Sequence, residues 1–132
     1  MKRIINSSVL LNDVAAATLS EARLIEDHRH AVLDVILAGF TGTIKVKVSN
    51  QAKIPDFSAS PSVTNNWTYI DLIGRDDGGS TTTGTTGVVT TTPTTANRSY
   101  AINSDAIRWM AVDVEARSAG SVSVLLSGAT NE

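Results

Sequence analysis

The chain carries two histidines, His28 and His30, in the segment EDHRH. On a β-strand, positions i and i+2 share a face, so both imidazoles could reach one metal ion, with Glu26 or Asp34 as a further ligand. A His-x-His pair in a charged segment is more often a solvated strand face, and no metal site is assigned to it. Asp76 and Asp77, followed by Gly78 and Gly79, look like a fragment of a calcium loop. Their spacing is not that of an EF-hand, and an acidic turn accounts for them. A serine hydrolase would need one of the two histidines beside an activated serine, and no Gly-x-Ser-x-Gly, Walker or GxGxxG pattern occurs. Asp113 and Glu115 alternate with core-type residues and read as the exposed face of a strand. No catalytic residue, cofactor or metal ligand is assigned, and the chain is expected not to be an enzyme.

The aromatic residues are Phe40, Phe57, Trp67, Tyr69, Tyr100 and Trp109. An exposed pair of Trp67 and Tyr69 would give a platform on which a sugar ring stacks. A tryptophan on a central strand of a β-sandwich is more often core. Trp109, inside the apolar run AIRWMAV, is expected in the core, whereas Trp67, flanked by Asn65, Asn66 and Thr68, is open between the two roles.

Composition narrows the field. A chain of 132 residues fits one domain and is long enough to bury a core of its own. Only 18% of residues are charged, the net charge is −2, and no Lys/Arg cluster occurs. Nucleic acid and anionic membrane surfaces are therefore not expected as partners. There is no cysteine, which excludes disulfides, thiolate zinc sites and thiol catalysis and favours synthesis in a reducing cytoplasm. Asn6, Ser7, Ser8 and Asp13 interrupt the opening segment before a signal-like apolar core can form, and no apolar stretch is long enough to span a membrane.

The elements that must carry any site are strands. In TIKVKV, Ile44, Val46 and Val48 alternate with Lys45 and Lys47, the pattern of a strand with one wet face. SVSVLL and WMAVDVEAR alternate in the same way. AVLDVILAGF is more continuously apolar, as in a strand covered on both sides. Ala38-Gly39-Phe40-Thr41-Gly42 and Ser118-Ala119-Gly120 read as hairpin turns between these runs. PDFSASPSVTNN reads as a loop over one end of the domain, NWTYIDLIG and RSYAIN as further strands, and NDVAAATLSEARLIEDH as strand in preference to helix. The expected architecture is all-β: an antiparallel β-sandwich of seven to eight strands, of jelly-roll type. Residues 1–20 would form an extended N-terminal arm or an extra strand on this single domain.

The stretch from Asp76 to Asn97 is dominated by threonine. Threonine is β-branched and suits strands, unlike the Gly/Ser mixture of a flexible tether. An edge strand anchored by Val88 and Val89 and ended by Pro93 is expected here, with a mobile loop beside it.

The layout VLDVILAGFTGTIKVKVSNQ … PDFSASPSVTNNWTYIDLI … RSYAINSDAIRWMAVDVEARSAGSVSVLL resembles small structural proteins of tailed bacteriophages, over about the last hundred residues. The resemblance implies a virion protein on the capsid surface, made in the host cytoplasm. Its role would be capsid decoration (cement): it would bind the major capsid protein, stabilise the head and assemble as a homotrimer. A fibre- or tail-associated carbohydrate- or receptor-binding module, using Trp67 and Tyr69, is the alternative. The apolar residues Ile4, Ile5, Val9 and Leu10 near the N-terminus and Val88 and Val89 in the threonine stretch are the candidate partner-binding residues.

Overall fold

A computed structural model of the chain describes residues 3–75, 81–105 and 107–131. The described residues form nine strands and no helix. Four are long: β1 (Arg3–Val14), β4 (Arg29–Ser49), β8 (Val88–Ala101) and β9 (Trp109–Asn131). The others are short: β2 (Thr18–Leu19), β3 (Arg23–Leu24), β5 (Thr68–Tyr69), β6 (Leu72–Gly74) and β7 (Thr81–Thr82). All pairings are antiparallel and belong to one sheet of order β1-β9-β4-β8-β6-β7; β2 and β3 also pair with β9, and β5 with β4. Residues 3–24 thus line one edge of β9 in three pieces, while β4 and β9 form the centre of the sheet.

The all-β class follows from the alternation read in the sequence. Both expected hairpins, however, are absent. AVLDVIL and TIKVKV are two halves of the single strand β4, and WMAVDVEAR and SVSVLL are two halves of β9. The two strands bend together. Ala38 pairs with Ser121 and Thr41 with Ala119, with a register break between them. Gly39 and Gly120 meet inside that break at φ +61° and +70°, in the left-handed region that side chains disfavour. A Cβ on Gly120 would overlap the Gly39 carbonyl oxygen. Glycine at these positions bends a strand instead of reversing it.

The bend is what creates a core. Leu33, Val35 and Leu37 from the first half of β4 belong to the same buried cluster as Ile44, Val46 and Val48 from its second half. Met110, Val112 and Val114 join Val122, Val124 and Leu126 from the two halves of β9 in the same way, and Phe40 is fully buried at the fold line. With no helix to cover it, one face of a sheet can become dry only by facing another part of the sheet. The two facing layers are therefore halves of one folded sheet rather than two separately bonded sheets. AVLDVILAGF is buried on the core side only, since Ile36 on its other side is exposed.

Bending removes backbone partners, and the threonine stretch replaces them. The Gly39 N–H donates to Thr95 Oγ1 at 3.0 Å, and the Gly42 N–H to Thr90 Oγ1 at 3.1 Å. The Thr90 hydroxyl in turn donates to the Phe40 carbonyl at 3.0 Å. Strand β8 runs on through Pro93 rather than ending there. Pro93 sits between Thr90 and Thr94, where β8 has no register partner on β4 and a missing N–H does no harm. The Asp76–Gly79 turn, also weighed as a calcium loop, lies outside the described residues.

Removing the Thr90 hydroxyl leaves two buried backbone groups unpaired. Thr90→Val should therefore lower unfolding free energy by about 1–3 kcal/mol, whereas exposed Thr91→Val should stay within roughly 0.5 kcal/mol. Gly120→Ala should lose about 2 kcal/mol or more from steric overlap and backbone strain. Urea titration of the three variants measures all of this.

Candidate functional site

The outer face of the sheet around the second half of β4 is not wet, contrary to the alternation reading. Lys47 is 8% exposed. Its neighbours in register are Tyr69 on β5 and Ala111 on β9, and the loop from 50 to 67 folds across this face. Phe57, Trp67 and Ala111 form a second buried cluster there, with Leu19, Ala22, Tyr69 and Trp109 packed against it. Trp109 is thus half-buried in this outer cluster and absent from the main core. The loop that was expected over one end of the domain is instead a lid on a sheet face.

Lys47 fastens that lid. Its ammonium donates to the Phe57 carbonyl at 2.8 Å, lies 4.4 Å from the Trp67 ring centroid, and pairs with Asp113 at 3.5 Å. Lys45 pairs with Glu115 at 2.7 Å and lies 5.1 Å from the Tyr69 ring. The acidic residues Asp113 and Glu115 are therefore lysine partners. Within the loop, Asn65 bridges Asp56 twice, accepting its N–H at 2.7 Å and donating to its carbonyl at 2.9 Å. The Ser58 hydroxyl, then the Ser58 N–H, donate to the Asp56 carboxylate and hold it below the usual carboxylate range. That contribution is present above the ordinary carboxylate pKa and is lost as pH falls through the lowered one.

Trp67 is 9% exposed, donates its indole N–H to the Ala59 carbonyl at 2.9 Å, and meets Tyr69 edge-on at 5.3 Å between centroids. With Lys47 over the ring, Trp67 and Tyr69 form a packed aromatic group, not an open stacking platform. Beside it, however, lies a cleft of about 260 Å³ lined by Ser49, Asn50, Asn66, Thr68, Asp105 and Ile107, with Val48 and Trp67 as further wall. The side chains of Asn50, Asn66, Thr68 and Asp105 make no hydrogen bond to other described residues. Nothing in the sequence singles these positions out: they come from three separate segments and have ordinary loop composition.

The candidate partner-binding residues divide. Ile5 and Val9 are 66% and 53% exposed and lie on the same face of β1. Leu10 is half-buried against the main core, and the side chain of Ile4 lies outside the described residues. Val88 is buried in the core while Val89 is exposed; both sit on β8, with two strands between it and β1. The six therefore do not form one surface. His30 starts β4 at φ +55°, and His28 packs on Gly128. Among the described residues, no group of three or more His, Cys, Asp or Glu side chains is placed to hold a metal ion.

Trp67→Ala should lose about 3 kcal/mol of stability, because it removes the centre of the lid cluster. Lys47→Ala should cost about 2 kcal/mol, and Lys45→Ala, a partly exposed pair, under about 1 kcal/mol. Thermal and urea unfolding followed by tryptophan fluorescence separates the three.

No family model matches the sequence, and no curated protein matches it. Two solved structures share its fold. The SPBc2 prophage-derived protein YomS superposes with a TM-score of 0.70 at 10% identity, covering 98% of this chain and 96% of that one. The PBSX exported protein XepA superposes with a TM-score of 0.70 at 12% identity, covering 98% of this chain and 39% of that one. The folded single sheet is thus a known architecture, present whole in one of these proteins and as part of a longer chain in the other.

Proposed function

We propose that the chain is a phage-encoded, non-enzymatic assembly protein: a capsid decoration protein that binds the major capsid protein and stabilises the head. The observation that carries this reading is the end-to-end likeness of fold to a prophage-derived protein of the same length class. Low charge, absence of thiols and a chain devoted to one sheet suit a protein that works by many weak, symmetric contacts. Purified protein should add to heads lacking it at a fixed ratio to the capsid lattice and raise their disassembly temperature. Failure to bind heads, or binding to tails alone, would overturn the decoration role.

A second reading is favoured by one feature, the cleft beside Trp67. Amide, hydroxyl and carboxylate groups without side-chain hydrogen bonds to other described residues, around an apolar wall, suit a neutral polyhydroxyl ligand such as a cell-surface glycan. A likeness to a protein named as exported is compatible with such a role outside the cell. The useful variants are Asn66→Ala and Asp105→Ala, on exposed residues, because Trp67→Ala damages the fold. Calorimetry with host polysaccharide should show about tenfold weaker binding for each variant, and no heat with the native chain removes this reading.

A further inference from the structure

We infer that β1 is a self-recognition edge, through which two copies of the chain join their sheets across a two-fold axis. Strand β1 ends the sheet order, so alternate N–H and C=O groups along its outer side face away from β9. From Arg3 to Val9 it pairs one-to-one with Asn131 to Leu125, and breaks of register begin only after Val9. A straight, regular edge of this kind is what a further strand requires.

The molecule guards its other long edge and leaves this one open. Among the described residues, β8 meets β6 at Tyr100 and Ala101 and the Arg75 N–H at Ser99, so its outer side before Ser99 has no strand partner there either. That side is interrupted by Pro93 and by the register break around it, which oppose strand addition. The segment INSSVL of β1 has no proline and no charge. The two edges differ in the devices that suppress pairing: from Ile5 to Val9, β1 carries neither proline, nor charge, nor a register break.

The occupant is identified by the residue pattern. Ile5, Ser7 and Val9 share one face, and Ile5 and Val9 are both large, apolar and exposed. Antiparallel pairing of two copies about Ser7 sets Ile5 of each opposite Val9 of the other and Ser7 opposite Ser7. Both exposed apolar side chains are then covered, twice, by one symmetric operation. In β1 itself the exposed apolar residues lie symmetrically about a small polar centre, which an unrelated partner would not require. Among the described residues, the hydrogen bond to be displaced is long: Arg23 Nη2 to the Val9 carbonyl at 3.5 Å. Such an edge contact falls below about 1,200 Å² of buried surface, so the dimer should depend on concentration.

The test is sedimentation equilibrium of the full chain from low micromolar to several hundred micromolar, with circular dichroism to check folding. The native chain should pass from monomer to dimer. I5K/V9K places like charges opposite each other at both symmetric positions and should weaken the dimer by about tenfold or more. I5K/V9E places opposite charges there and should restore association, increasingly so at low salt. Both changes are on exposed side chains, so the fold should survive. A native chain that stays monomeric, a threefold assembly, or equal association of the two double variants overturns the inference.

Discussion

Everything in this fold depends on the place where two central strands bend side by side. A sheet without helices can bury a face only by closing on itself, and β4 and β9 do so by bending at the same level, where Gly39 and Gly120 come within contact. Closure brings twelve apolar residues from four half-strands into one cluster with Phe40 at the fold line. It also strips two glycine N–H groups and a carbonyl of their ladder partners. Threonine hydroxyls from β8 supply the replacements, so the bend, the core and the threonine-rich strand are one interdependent unit.

The same bend explains what could be read in the sequence and what could not. Alternation at Ile44, Val46, Val48 and at Val122, Val124, Leu126 marks strands and their inner faces, because burial of one side of a pleat imposes period two. A glycine-containing break between two such runs has the same local signature whether the chain reverses or bends. Only the partner strand decides, and Gly120 lies 81 positions from Gly39. Alternation also misleads at Lys47, where a lysine in an outward position is covered by a loop that supplies a carbonyl and an aromatic face, while Asp113 on β9 supplies a carboxylate. The cleft at Asn50, Asn66 and Asp105 was illegible for a simpler reason: its groups have no spacing or type that chemistry would mark, and only the packing of three segments brings them together.

Sharing this architecture at 10–12% identity is understandable on physical grounds. What this fold uses is a short set of constraints: period-two apolar faces, small residues at the bend, and hydroxyls near it that accept backbone N–H bonds. Many sequences meet those constraints, so the scaffold persists while its outer surfaces are free to change.

The central position of β9 has a kinetic consequence. Strands β1, β2, β3 and β4 all need β9 as a neighbour, yet β9 follows all of them in the sequence. During synthesis the earlier strands must wait, with their apolar faces unpaired, until β9 has left the ribosome. Folding is then governed by long-range pairing and should be slow compared with a protein of similar size built from local contacts. A host chaperone that shields the half-made sheet would act in that interval, before any of the surfaces described above exist.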